Sequence, residues 1–301
     1  RFSYAWLGTL DYAYEVQPGT RVGLSYWHLS DETQGRAFAY EGLVPSGPSS
    51  GALAAYTGTA PLRIDQPVGD VHYVGLNAQH NLDFHTGRLA ASGFVMLNVG
   101  SFESEKDDTQ RLEKVDLMGV SANAEVVYKW GRTAGDRVKL QALWARGDDD
   151  LSDDEFKAPF TLNYYGLPGA VWFDHEMLLL FPFTSTVSNY SGAVTDISNQ
   201  GYGLTTALAV GAWDIIPDRL NLKLGAGWAM ANEDPPARDD GRDPGKQMGV
   251  ELNAELRWHL RYLMTVGLHG GYLLKGDFYA DNTQVEDDPW AAFTTFTWYA
   301  F

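Results

Sequence analysis

From Met248 to Leu260 the chain alternates without a break: Met248, Val250, Leu252, Ala254, Leu256, Trp258 and Leu260 share one face, and Glu251, Asn253, Glu255, Arg257 and His259 share the other. A period of two belongs to an extended strand, whose successive side chains point to opposite sides of a sheet. Glu251, Glu255, Arg257 and His259 place four ionisable groups on a single face, which fits water and not a dry core. A strand that is apolar on one side and wet on the other is what the wall of a membrane barrel requires.

The same period returns along the chain. In Leu220–Met230, Leu222, Leu224, Ala226 and Trp228 oppose Asn221, Lys223, Gly225 and Gly227; in Leu204–Ala212, Leu208 and Val210 form the apolar face opposite Thr205 and Ala207. Further strand-like segments are Tyr4–Tyr14, Arg21–Leu29, Val71–Asn81, Arg88–Val99, Asp116–Trp130, Arg137–Ala145, Leu263–Leu274 and Trp290–Phe301, which brings the expected total to eleven. Their connections alternate in length. Short turns fall at Gln17–Thr20, Leu82–Gly87, Gly131–Asp136, Ile215–Arg219 and His259–Tyr262, and long polar segments at Ser30–Asp70, Ser101–Lys114, Arg146–Gln200, Ala231–Gln247 and Lys275–Pro289.

The expected fold is therefore all-β: one antiparallel transmembrane β-barrel domain over 1–301, with short periplasmic turns and long extracellular loops, notably 30–70 and 146–200. Both end strands would run downward from the exterior. Because eleven strands cannot close in the usual even-stranded pattern, at least one upward strand is expected before Arg1, where no signal peptide stands.

Composition narrows the alternatives. At 45% hydrophobic and 13% aromatic the 301 residues are too apolar for a disordered polymer, yet the longest apolar run, Met177–Phe183, contains Pro182 and is far short of a membrane helix. With no cysteine there are neither disulfides nor thiolate metal sites, and a net charge of −17 argues against nucleic acid as a partner. A soluble sandwich or β-helix would also alternate, but would not sort its connections so regularly into short and long. Aromatic residues gather near strand ends, at Tyr12, Tyr14, Tyr26, Trp27, Tyr128, Trp130, Trp213, Trp258, Tyr262, Trp298 and Tyr299, as in the two interfacial girdles of a barrel.

The terminal run Thr294-Thr295-Phe296-Thr297-Trp298-Tyr299-Ala300-Phe301 resembles the C-terminal signal strand of bacterial outer-membrane β-barrels of the porin superfamily. The resemblance implies that Phe301, Tyr299 and Thr297 are read by the barrel-assembly machinery of a Gram-negative outer membrane. A narrower likeness is to alginate-export-type barrels, carried by Gly147-Asp148-Asp149-Asp150 and by Gly270-Gly271-Tyr272-Leu273-Leu274-Lys275-Gly276-Asp277-Phe278. It implies a larger barrel that passes an anionic polysaccharide through an Arg-lined pore. The chain departs from that pattern, since Arg21, Arg88, Lys129, Lys139, Lys223 and Arg257 are mixed with Asp11, Glu15, Glu125, Glu251 and Glu255.

In a pore, inward ionisable residues set selectivity, so the expected pore lining is Glu251, Glu255, Arg257, Asn253, Lys223, Lys139, Arg88 and Glu125; the bland reading is that they wet the lumen or pair across strands. The 146–200 loop carries apolar stretches, Val171-Trp172-Phe173 and Met177–Phe183, unsuited to free solution, and is expected to pack into the barrel mouth. The acidic run from Asp148 to Glu155 offers Asp148, Asp150, Asp153 and Asp154 to a Ca²⁺ ion, though it lacks EF-hand spacing, and a solvated loop bridged to lipopolysaccharide is the favoured alternative. No other cofactor is expected. His28-Leu29-Ser30-Asp31 resembles the His-x-Ser pair of outer-membrane phospholipase, but no orienting Asn accompanies it. The expected function is a passive channel, a porin or a polysaccharide or solute export pore, and not an enzyme, with membrane lipid and lipopolysaccharide around it. The competing class is a non-conducting barrel that anchors a periplasmic or lipoprotein partner.

Overall fold

The structure is a computed structural model of the chain; it describes residues 4–34, 64, 66–105, 112–160, 177–180, 199–235, 245–278 and 287–299. The eleven long strands are β1 (Ala5–Gln17), β2 (Thr20–Asp31), β3 (Pro67–His80), β4 (Leu89–Ser104), β5 (Lys114–Lys129), β6 (Arg137–Ala145), β8 (Leu204–Ile216), β9 (Leu220–Met230), β10 (Gln247–Arg261), β11 (Met264–Lys275) and β12 (Trp290–Trp298). Each pairs antiparallel with the next in chain order, in a single meander from β1 to β12. A two-residue strand, β7 (Glu155–Phe156), lies parallel to β5 beside Asp116 and Leu117, above the level at which β6 ends opposite Ser121. No helix long and apolar enough to cross a membrane is present among the described residues.

The sheet is inside out with respect to a soluble protein. On β10, Glu251 is 0% exposed and Leu252, its neighbour, 53%. Apolar side chains cover the outer face, among them Leu10, Leu24, Leu76, Val95, Leu140, Leu224 and Leu268, all exposed. Such a surface is costly in water and fits hydrocarbon. The inner face is where burial occurs, in two clusters. One joins Leu29, Val71, Tyr73, Met96, Phe102, Val115 and Leu117 of β2 to β5; the other joins Leu143, Leu204, Leu208, Val210, Ala229 and Leu273 of β6 to β11. Phe94 on β4 packs against both, so the wall curves around a shared interior. No pairing between β1 and β12 is present among the described residues.

Strand identity follows from alternation, but facing does not always. Leu208 and Val210, expected outside, are buried inside at 5% each, and Ala207 and Ala209 take the exposed outer face. Apolar residues on one face of β8 therefore mark a packed interior and small ones the exterior, the reverse of the sequence reading. Met248, grouped by period with Val250, is also buried. A bulge shifts the register between Gln247 and Gly249, and Gly249 sits at φ +130°, where a Cβ would meet the Leu274 carbonyl. One extra residue turns Met248 inward onto the cluster that holds Tyr202 and Phe278. Trp27, read as part of a girdle, also points inward and donates from Nε1 to Asp11 at 3.0 Å. The remaining girdle residues, including Tyr12, Tyr14, Tyr26, Tyr128 and Trp213, are exposed.

Two of the short turns are held by side chain to backbone hydrogen bonds. Asn81, at φ 53°, donates to the Gly87 and Leu89 carbonyls and accepts the Thr86 N–H. Between β5 and β6, Asp136 accepts from the Arg132, Thr133 and Asp214 nitrogens, and these bonds, led by that from Asp214, hold its carboxyl below the ordinary carboxylate value. Arg88 belongs to this layer and not to the strand wall: it lies in the β3–β4 turn and donates to the Trp130 carbonyl at 3.3 Å.

Candidate functional site

The inner face has two tiers. Toward the long loops it is apolar and filled; toward the short turns it is ionic. Part of the filling comes from described residues of the 146–200 segment, Phe160, Met177 and Leu180. Residues Met177–Leu180 lie against β10, where the Glu251 carboxylate accepts three consecutive backbone N–H groups, from Leu178 at 2.6 Å, Leu179 at 2.7 Å and Leu180 at 2.7 Å. Asn253 completes the clasp, donating to Glu251 at 3.0 Å and contacting Met177 Sδ at 3.6 Å. Met177 and Leu180 are buried in the β6–β11 cluster. Gly227 on β9 leaves the space that Met177 occupies, which gives a reason for the small residues on this face.

A second part of the same loop enters beside β4 and β5. The Phe160 N–H donates to Asn98 Oδ1 at 3.0 Å, and its ring lies 5.3 Å from that of Phe102. A Cβ at Gly119 would collide with the Ala158–Pro159 backbone, so the strand admits the loop only because it carries glycine there. Asn98 Nδ2, Ser121 Oγ and Gln141 Oε1 are buried there without a hydrogen-bond partner among the described residues. Val171-Trp172-Phe173 and residues 181–183 lie outside the described residues.

The ionic tier centres on Glu255. It pairs with Lys223 at 3.1 Å, with Arg257 at 2.5 Å and with His269 Nδ1 at 3.5 Å. Cross-strand register explains the assembly, because Lys223 on β9 and His269 on β11 both stand opposite Glu255. Lys139 on β6 approaches Glu125 on β5 at 3.4 Å, both largely buried. Of the residues expected to line a pore, Glu251, Asn253, Glu255, Arg257, Lys223, Lys139 and Glu125 all fall on the inner face, and Glu255 draws Arg257 and Lys223 together.

The acidic run at Asp148 is organised by an internal cation. Lys157 Nζ stands 2.7 Å from Asp149, 3.7 Å from Glu155 and 4.0 Å from Asp153. Asp148 accepts the Asp150 and Lys157 backbone N–H groups, Asp150 accepts from Ser152, and Asp153 accepts the Glu155 N–H, so these carboxylates cap turns. The Lys157 ammonium holds Asp149 below the ordinary carboxylate value, whereas burial pushes Asp148 up. No group of three metal-ligating side chains is close enough to hold an ion among the described residues. Of the expected assembly signal, Phe301 lies outside the described residues; Thr297 is on β12, and the Tyr299 N–H donates to the Leu263 carbonyl at 3.1 Å.

Sequence reasoning missed the partners of Glu251, because they are backbone N–H groups that leave no mark on residue type. It also missed the part played by Asn98.

No family model and no curated protein matches the chain. It is similar to outer-membrane channels. The outer membrane channel DcaP of Acinetobacter baumannii aligns with 96% of this chain at 11% identity and a TM-score of 0.44, over 61% of its own length. The Pseudomonas putida toluene transporter TodX aligns with 90% of this chain at 13% identity and a TM-score of 0.34, over 64% of its own length. The chain thus spans less than two thirds of the length of either structure.

Proposed function

We propose that the chain forms an outer-membrane channel for passive passage of hydrophilic solutes, closed at rest by the Met177–Leu180 stretch, with no covalent chemistry. The observation that carries this reading is the Glu251 clasp on Leu178–Leu180 inside the wall. A buried carboxylate is costly unless its lone pairs are satisfied. Here the loop supplies that satisfaction, which supports a specific stopper over a collapsed strap. Solute would meet Glu255, Lys223, Arg257, Lys139 and Glu125 below it, mixed charges that suit a polar permeant without committing to its sign.

The filled upper tier also favours a second reading, a non-conducting barrel that anchors a partner in the envelope. Planar-bilayer recording separates the two. A channel gives brief or small unitary currents in the parent and larger, longer openings in Glu251→Ala. Silence in both, with the protein inserted, would leave only the anchoring role.

A further inference from the structure

Where the outer face of β2 and β3 leaves the apolar band, it carries an aromatic and polar patch used by neither the lumen nor the turns. Three successive rows describe the position. Leu10, Tyr26, Val74 and Leu97 pair side by side across β1 to β4; the next row is Gly8, His28, His72 and Val99; the one beyond is Trp6, Ser30, Asp70 and Ser101. The first row is apolar apart from one Tyr hydroxyl, the third is mostly polar, and the two histidines stand at the changeover. Outward side chains at this height meet the headgroup layer.

Ionisable groups on a lipid-facing wall are disfavoured unless they have a task. Here they form a built surface. The His28 and His72 rings stack at 4.4 Å with 13° between planes, and Trp6 meets His28 edge-on at 4.7 Å. His28 Nε2 lies 3.1 Å from Asp70 Oδ1, and the Tyr26 hydroxyl 2.9 Å from His72 Nδ1. Each imidazole is thus oriented through one nitrogen, leaving His28 Nδ1 and His72 Nε2 without a hydrogen bond among the described residues. Trp6 and Tyr26 flank the pair and are 46% and 43% exposed.

Charge chooses the occupant. Asp70 sits at the patch, and the outward Lys114 on β5 is held by Asp116 at 2.7 Å, so among the described residues a phosphate would meet a carboxylate and no unpaired lysine. A saccharide fits instead: its hydroxyls can donate to or accept from the two open imidazole nitrogens and Asp70, and its C–H face can lie against an aromatic ring. We propose that Trp6, Tyr26, His28, Asp70 and His72 bind the sugar headgroup of a glycolipid in the outer leaflet, a reading that rests on the membrane placement proposed above.

The test uses the protein in detergent with three added probes: lipopolysaccharide with a short sugar core, lipid A, and phosphatidylglycerol. Retention is read by native mass spectrometry, and insertion by vesicle flotation. The parent should retain the sugar-bearing lipopolysaccharide over phosphatidylglycerol, and His28→Ala/His72→Ala and Trp6→Ala should each lower that retention by roughly tenfold, the equivalent of one or two hydrogen bonds. Equal retention of phosphatidylglycerol would overturn the saccharide assignment, as would a second copy of the chain in place of lipid. Insertion with unchanged lipopolysaccharide retention in the variants would overturn the site alone; failure to insert would overturn the membrane reading with it.

Discussion

Glu251 Oε2 lies 2.7 Å from the backbone nitrogen of Leu180, although the two residues are 71 positions apart and belong to a strand and a loop. That contact, with its neighbours at Leu178 and Leu179, ties the interior of the wall to the segment that fills it. Removing the acceptor leaves three donors to find water in an apolar setting, a loss of about 1–3 kcal/mol for each unsatisfied group. The amides of Leu178–Leu180 should therefore be protected from hydrogen exchange in the parent and exchange at least roughly tenfold faster in Glu251→Ala. Glu251→Gln, which keeps one acceptor oxygen, should fall between them. Equal protection in all three proteins would show that the clasp does not hold the loop.

Glu255 is bracketed by Lys223 and Arg257, so it neutralises cations on the inner wall. Glu255→Gln removes one negative charge from beside both. The reversal potential in a salt gradient should move toward anion selectivity, and the effect should shrink at high salt, where screening shortens to about 3 Å at 1 M. A shift toward cations would contradict the placement of these groups along the permeation path.

Gly249 holds the bulge that turns Met248 inward, at a φ of +130°. Gly249→Ala forces a Cβ toward the Leu274 carbonyl and should destabilise the folded barrel by roughly 1–3 kcal/mol. Urea titration followed by the mobility difference between folded and unfolded barrel on unheated gels would measure it. Gly211→Ala, where a Cβ meets nothing within 4 Å, is the matched control.

Lys157 is raised above its ordinary 10.5 by its hydrogen bond to Asp149, and Asp149 is lowered from 3.8 by the same partner. The lysine's contribution is complete below 10.5 and is lost as pH rises through its higher folded value; the Asp149 contribution is complete above 3.8 and is lost as pH falls through its lower folded value. Asp148 acts in the opposite sense: burial raises it, so its contribution is greatest below 3.8 and fades as pH rises through the raised value. Proteolysis of the 146–160 segment should be slow at neutral pH and quicken above the ordinary lysine value of 10.5. In Lys157→Met it should already be fast at neutral pH.

Tyr202, packed 6.3 Å from Phe278, has its hydroxyl pushed up by burial to about 12. Stability from keeping it neutral is complete below the ordinary value of 10.0 and lost as pH passes about 12. Spectrophotometric titration of the parent minus Tyr202→Phe should show one tyrosine ionising near 12, and a difference curve centred at 10.0 would refute its burial.

All eleven long strands were legible, and Arg137–Ala145 and Leu220–Met230 coincide with β6 and β9 at both ends. A residue type with a two-residue period is enough to set an extended backbone, because the pleat alone dictates where side chains go. The inner placement of Glu251, Glu255, Arg257 and Lys223 was legible for the same reason: four ionisable groups cannot face hydrocarbon. On β8 the same reasoning failed, since both faces are made of Leu, Val, Ala and Thr, and period alone does not say which apolar row meets lipid and which meets a packed interior.

What the sequence determined by itself was thus local: extended strands, their order, their tight turns and the faces of those carrying charge. What only the tertiary structure decided was relational. Where Leu208 points depends on Met177, a residue from a different part of the chain that fills the space over Gly227. What Glu251 does depends on backbone N–H groups, which every residue except proline carries and no sequence pattern distinguishes. A two-residue period records how a strand meets its two sides, but it does not record which part of a long loop comes back to occupy one of them.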